Sequence, residues 1–141
     1  MYRSGQKLLP LFLFLALSCG GDDEPFSPTV QDVAGSYQAS SLTGTQSGIT
    51  VNLLSLGATV AMVLNENGTT TGRVFAPGLD EGGQDLDVDL AGTWTLEGET
   101  VTFNQTGDTF IRDIPFTASP NRLQGEGTFK TFTIRLTLTK E

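Results

Sequence analysis

Strict alternation of apolar and polar side chains between Asp85 and Glu97 constrains the fold of this chain more than any other feature. The apolar positions of this stretch are Leu86, Val88, Leu90, Trp94 and Leu96. Successive side chains of a β-strand point to opposite faces, so this period predicts a strand with one buried face. Gly92 interrupts the apolar face, where the missing side chain permits a bend or a close backbone approach.

The same period recurs in the last segment, where Phe132, Ile134, Leu136 and Leu138 alternate with polar residues. Turn sequences such as Pro77-Gly78 separate the runs, and no helical period is visible between them. Strands are predicted at 35–42, 49–54, 58–65, 69–76, 86–96, 99–104, 110–118, 121–126 and 130–139. Short antiparallel strands of this number favour a small up-and-down β-barrel of about eight strands, with a β-sandwich as the alternative.

The N-terminal residues have the pattern of a signal peptide. Arg3 and Lys7 are followed by an apolar run from Leu8 to Leu17. A helix needs about 20 apolar residues to span a bilayer, so this run is too short for a permanent membrane segment. We expect residues 1–18 to be a signal peptide and residues 19–32, rich in Gly, Asp, Pro and Ser, to be a flexible tether.

The segment Leu15-Ala16-Leu17-Ser18-Cys19 resembles the lipobox of bacterial lipoproteins. The resemblance implies that Cys19 carries a diacylglycerol thioether and an amide-linked acyl chain such as palmitate, which anchor the protein to a membrane. It also implies a place in the bacterial cell envelope, at the outer membrane on its periplasmic or surface face. The alternative is an ordinary secretory signal with an incidental cysteine.

Charge and composition restrict the classes of partner and chemistry. Removal of residues 1–18 leaves 6 basic and 16 acidic side chains, and this acidic balance opposes binding to nucleic acid. The chain has no histidine, and lipidation would block its sole cysteine, so the usual nucleophilic and His-metal sites are excluded. We expect neither an enzyme nor a cofactor.

Three aspartates at alternate positions are candidate ligands for calcium. Asp85, Asp87 and Asp89 resemble the start of a calcium-binding loop, but Leu90 stands where that loop needs Gly and Leu96 where it needs Glu. Aspartates that alternate with apolar residues are also what a solvent-facing strand requires. We therefore expect no metal site.

Two short motifs point to a family. Val33-Ala34-Gly35-Ser36-Tyr37 opens the domain, and Leu90-Ala91-Gly92-Thr93-Trp94 repeats its Gly-x-aromatic pattern. Residues 33–141 thereby resemble the lipocalin-like domains of bacterial lipoproteins. The resemblance implies a non-catalytic barrel that binds or carries a small hydrophobic ligand.

The candidates for lining such a ligand site are apolar and aromatic residues of the inward face: Tyr37, Val60, Met62, Trp94, Phe103, Phe116, Phe132 and Ile134. An eight-stranded barrel is just wide enough to fill with side chains or to hold one small ligand. The alternative is therefore an ordinary packed core, in a structural module that meets a protein or glycan at the cell surface.

Overall fold

The structure, a computed structural model, describes residues 26–141 of the chain. Its strands are β1 (Gly35–Gln46), β2 (Ile49–Asn52), β3 (Thr59–Leu64), β4 (Thr69–Ala76), β5 (Leu86–Asp89), β6 (Gly92–Glu97), β7 (Thr100–Gln105), β8 (Phe116–Ser119), β9 (Arg122–Phe129) and β10 (Phe132–Lys140). Its helical turns are α1 (Val30–Val33), α2 (Phe110–Asp113) and the 3₁₀ turns Leu54–Leu56 and Glu81–Gly83. Within this part of the chain no helix is long and apolar enough to cross a membrane. The predicted signal peptide and Cys19 lie outside the described residues.

Eight strands close into an antiparallel barrel. They pair in the order β1, β3, β4, β6, β7, β8, β9 and β10, and β10 returns to pair with β1. Because this order follows the chain, the predicted up-and-down barrel is confirmed and the sandwich is not formed. The two remaining strands are additions to the ring: β2 pairs with β1, and β5 pairs with β4.

The strand predicted over residues 86–96 is present but broken. β5 and β6 pair with opposite ends of β4, and Leu90 and Ala91 lie between them. The Leu90 N–H donates to the Gly72 carbonyl at 2.9 Å, which keeps the broken segment attached to β4. After the break, a Cβ at Gly92 would lie 2.7 Å from the Cα of Gln105. The close backbone approach predicted for Gly92 is thus confirmed.

Different elements close the two ends of the barrel. At the first end, Thr29 caps α1 by accepting a hydrogen bond from the Asp32 N–H at 3.2 Å, and Asp32 accepts one in return from the Thr29 N–H at 2.9 Å. Val33, the last residue of α1, is buried. At the opposite end, α2 packs against β7 and β9. We call these the α1 end and the α2 end.

The strand predicted over residues 110–118 is wrong in its first half, because Phe110–Asp113 form α2. Thr109 caps this helix by accepting a hydrogen bond from the Ile111 N–H at 3.2 Å. Asp108 and Arg112 form an ion pair of 2.7 Å one helical turn apart. A helix of four residues is too short to show a helical period in the sequence, so its apolar residues resembled a strand.

Candidate functional site

The inward face of the barrel is apolar, and it collects the residues predicted to line a ligand site. Seven of the eight are 0–4% exposed: Tyr37, Val60, Met62, Trp94, Phe103, Phe116 and Ile134. The strand register places several of them side by side, including Tyr37 opposite Met62 and Trp94 opposite Phe103. Phe132, at the α2 end, is only half-buried and packs against the edge of this cluster.

Aromatic packing fills much of this face. The rings of Phe103 and Phe116 meet edge to face with 5.4 Å between their centroids. Gly125 makes room for this pair, because a Cβ at residue 125 would lie 2.9 Å from the Phe116 ring. Such edge-to-face pairs stabilise a core by about 1 kcal/mol beyond the area that they bury.

The sequence pattern missed the contribution of α2 to this interior. Phe110 and Ile111 are completely buried, and Phe110 meets Phe129 edge to face at 5.9 Å. The α2 end of the barrel is thus closed by apolar side chains. The sequence signal for this helix is the pair of Asp108 and Thr109, which precedes the apolar residues as a helix cap does.

One polar side chain, Gln105, lies within the apolar interior. It is 3% exposed, and its Nε2 donates to the Leu90 carbonyl at 3.2 Å and to the Thr70 hydroxyl at 3.3 Å. The same nitrogen lies 3.6 Å from the Met62 sulfur. Thr70 in turn donates to the Leu90 carbonyl at 2.7 Å. If the Nε2 and Oε1 atoms of Gln105 were exchanged, two acceptor oxygens would face each other at the Leu90 carbonyl. The contacts therefore determine which atom of the Gln105 amide is the nitrogen.

The Gln105 Oε1 is a buried acceptor with no hydrogen-bond partner among the described residues. A buried acceptor that gains no hydrogen bond in place of those it made with water costs about 1–3 kcal/mol. The oxygen can accept a hydrogen bond from any hydroxyl or N–H group that reaches it. The predicted strand 99–104 stopped one residue short of Gln105, although continued alternation from Val101 and Phe103 places it on the inward face.

The aromatic residues of the two Gly-x-aromatic motifs have structural contacts at the α1 end. The Tyr37 hydroxyl donates to the Val33 carbonyl at 2.5 Å, and the Trp94 indole N–H donates to the Asn65 carbonyl at 2.8 Å. Each ring is buried while its polar atom is satisfied by the backbone. Their polar groups therefore hold the closed end together and are not free for a ligand.

Tyr37 makes the stability of the barrel sensitive to alkaline pH. Burial raises the pKa of its hydroxyl from 10.0 to about 12. The unfolded chain loses this proton near pH 10 while the folded chain keeps it, so stability is full below pH 10 and declines as pH rises towards 12. We expect the free energy of unfolding to fall by about 2–3 kcal/mol across this window, as measured by urea denaturation.

Tyr37→Phe is the control for this prediction, because other groups also titrate above pH 10. The variant lacks the hydroxyl, so its own decline with pH should be smaller than that of the parent. A stability difference between the two proteins that stays constant from pH 10 to pH 12 would contradict the assignment.

The acidic row in and beside β5 is exposed, and Asp85 and Asp87 have protein partners. Arg73 forms two hydrogen bonds with the Asp87 carboxylate, at 2.7 and 2.8 Å, and these hold the pKa of Asp87 below its usual range. Asp85 accepts a hydrogen bond from the Gly78 N–H at 3.1 Å. Among the side chains that the structure describes, which leave out those of Glu81 and Asp113, no three His, Cys, Asp or Glu residues converge as a metal site would require.

Two cavities open on the outside of the barrel. The larger, of about 730 Å³, lies on the outer wall and is lined by Ser41, Thr43, Pro115, Thr117, Gln124, Gly125, Glu126, Arg135, Leu136 and Thr137. The smaller, of about 280 Å³, lies at the α1 end and is lined by Phe26, Ser27, Pro28, Leu96, Gly98 and Glu99. None of the eight predicted lining residues borders either of these two cavities; they belong to the packed interior of the barrel.

Comparisons of this chain with protein-family models, with curated proteins and with solved structures find no match.

Proposed function

We propose that this chain is a lipid-anchored, non-catalytic protein of the bacterial cell envelope whose barrel binds a small hydrophobic molecule carrying a hydroxyl or N–H group. The observation that carries the proposal is the unpartnered Oε1 of Gln105 within an apolar interior. Small-molecule sites are mostly apolar and contain a few polar groups that orient the ligand. Gln105 is such a group, and a ligand that donates to it would offset the cost of its burial.

The described part of the chain begins at the α1 end, where Phe26 borders the cavity together with Leu96. A tether that begins at Cys19 would therefore join the barrel at its α1 end. The acidic composition of the mature chain supports partners other than nucleic acid.

A pair of matched probes tests the role of Gln105. In the parent protein, 1-decanol should bind about tenfold more tightly than its isomer methyl nonyl ether, because only the alcohol can donate to Oε1. In Gln105→Met the preference should disappear, since methionine keeps the size of the side chain and removes the acceptor. Trp94, the sole tryptophan, lies in the barrel wall and reports binding through its fluorescence.

The control for this substitution is Gln124→Met, which makes the same change on the exposed face of β9 and should keep the preference for the alcohol. The unliganded Gln105→Met protein should have about the stability of the parent, because the loss of the hydrogen bonds donated by Nε2 offsets the removal of the unpartnered acceptor. Equal affinity of the parent for the alcohol and the ether would contradict the proposed site.

A second candidate function is a surface module that meets another macromolecule while its interior stays packed. It is favoured by the near-complete burial of the predicted lining residues and by three exposed apolar side chains near the α2 end. These are Ile49, Val51 and Leu56, which are 67%, 37% and 57% exposed. Failure of both probes to enter the parent barrel would favour this candidate.

A further inference from the structure

The β1–β2 hairpin belongs to a long uncharged segment of an acidic protein. The chain has a net charge of −8, yet residues 33–65 include no Asp, Glu, Lys or Arg. Asp32 and Glu66 flank the segment. The face formed by β1, β2 and β3 therefore lacks the charge that covers the rest of the protein.

β2 leaves one edge unpaired among the described residues. It pairs with β1 alone, and all of its residues, Ile49–Asn52, are exposed. Exposed edge strands are templates for pairing with another chain, and natural proteins usually protect them with charges, proline or a bulge. β2 contains neither charge nor proline, and its register with β1 is regular.

The direction of the backbone groups at this edge follows from one hydrogen bond. The Leu53 N–H donates to the Leu42 carbonyl of β1 at 2.9 Å. Backbone groups of a strand alternate in direction, so Val51 and Ile49 also point their N–H and C=O groups at β1. Thr50 therefore directs its N–H and C=O away from β1, into the open edge.

We propose that the open edge of β2 pairs with the same edge of a second copy of this chain, in antiparallel register about a twofold axis at Thr50. The N–H and C=O groups of Thr50 then exchange hydrogen bonds with those of Thr50 in the second copy. This register places Ile49 opposite Val51 of the second copy, and these exposed apolar side chains lie on one face of the joined sheet. Pairing thus satisfies the unpaired backbone groups of Thr50 and buries the apolar side chains of Ile49 and Val51.

The lack of charge on this face favours a second copy of this chain as the partner of β2. Two molecules of the same negative charge repel each other over most of their surfaces. The uncharged face is where two copies approach with the least repulsion. A basic partner would instead be drawn to the acidic faces, and an anionic membrane would gain nothing from this surface.

Substitutions at Thr50 test the pairing without breaking the hairpin. In Thr50→Pro the missing N–H is the one that points away from β1, and proline is tolerated at such edge positions. Thr50→Val keeps the N–H, and both variants lose the 2.7 Å hydrogen bond between the Thr50 and Thr45 hydroxyls. We expect Thr50→Pro to weaken dimerisation at least tenfold and Thr50→Val to dimerise as the parent does.

The measurement is the molar mass of the full chain across a concentration series, by light scattering in mild detergent with the detergent contribution subtracted. Should Thr50→Pro fail to fold, Ile49→Glu provides an independent test, because it places like charges across the twofold axis. Its control is Val30→Glu, since Val30 is also an exposed apolar residue, 41% exposed, but lies in α1 at the other end of the barrel. Ile49→Glu should be monomeric and Val30→Glu dimeric.

Several results would overturn the proposal. A parent protein that stays monomeric at the highest concentration it tolerates excludes the self-pairing edge. A dimer that Thr50→Pro and Thr50→Val weaken equally, or that Ile49→Glu leaves intact, uses another surface. Binding of the monomer to neutral phosphatidylcholine vesicles that is lost in Ile49→Glu would assign the surface to a membrane instead.

Discussion

Gly72→Ala is expected to lower the free energy of unfolding by about 4 kcal/mol, a large part of the stability of a domain this size. Gly72 has a φ of +143°, a backbone conformation that costs residues with a side chain about 1–3 kcal/mol. A Cβ there would also lie 2.7 Å from the Cα of Met62 and still closer to the Ala61 carbonyl oxygen. Both neighbours are backbone atoms of β3, so relieving the overlap means separating β3 from β4, which adds a further 1–3 kcal/mol or so.

Gly98→Ala is the matched control in the turn between β6 and β7. Gly98 also has a positive φ, +61°, but a Cβ there would meet nothing within 4 Å. Gly98→Ala should therefore lower the free energy of unfolding by only about 1 kcal/mol, because the backbone conformation is its sole cost. Urea denaturation followed by Trp94 fluorescence measures both variants. Equal costs at the two glycines would show that the close approach of β3 and β4 is not needed for the fold.

Cys19→Ser is expected to move the protein from the membrane fraction to the soluble fraction. The proposed anchor carries acyl chains on this residue alone, and each buried methylene contributes about 0.8 kcal/mol to membrane binding. Two or more chains make the attachment stable, whereas the variant has none. Fractionation of the bacterial envelope, together with palmitate labelling and the intact mass of the purified chain, measures the change.

Ser18→Ala is the control for this experiment, because it keeps a small residue before the cysteine and should leave the protein labelled and membrane-bound. A parent protein that is recovered in the soluble fraction with an unmodified Cys19 would contradict the anchor. The barrel proposals do not depend on this result, since the described domain contains no cysteine.

The fold could be predicted because its determinants are local. Alternation over residues 86–96 and 130–139 indicates which side chains face inward. Apart from the closing pair of β1 and β10, each strand of the barrel pairs with the next barrel strand along the chain, so most of the pairing is between segments that are close in the sequence. The role of Gly92 was predicted in part, because a glycine on the apolar face of a strand permits a bend or a close backbone approach, and the structure shows the close approach.

The site was harder to predict because its important features arise from contacts between distant strands. Whether Gln105 has a partner depends on Met62, Thr70 and Leu90, none of which is near it in the sequence. The open edge of β2 likewise depends on β3, which pairs with the first part of β1 and not with β2. The strand predicted over the residues of α2 was wrong for a different reason. The helix cap at Thr109 outweighs the strand-like composition of the residues that follow it.

Native mass spectrometry of residues 20–141, produced in a bacterial periplasm and purified gently, tests whether the barrel binds a ligand. We expect a stoichiometric bound mass of a few hundred daltons that organic extraction removes and that Gln105→Met retains less well than Gln124→Met. An unliganded mass in all of these proteins, with a high-resolution structure that shows an ordered water on the Gln105 Oε1, would contradict the ligand-binding barrel.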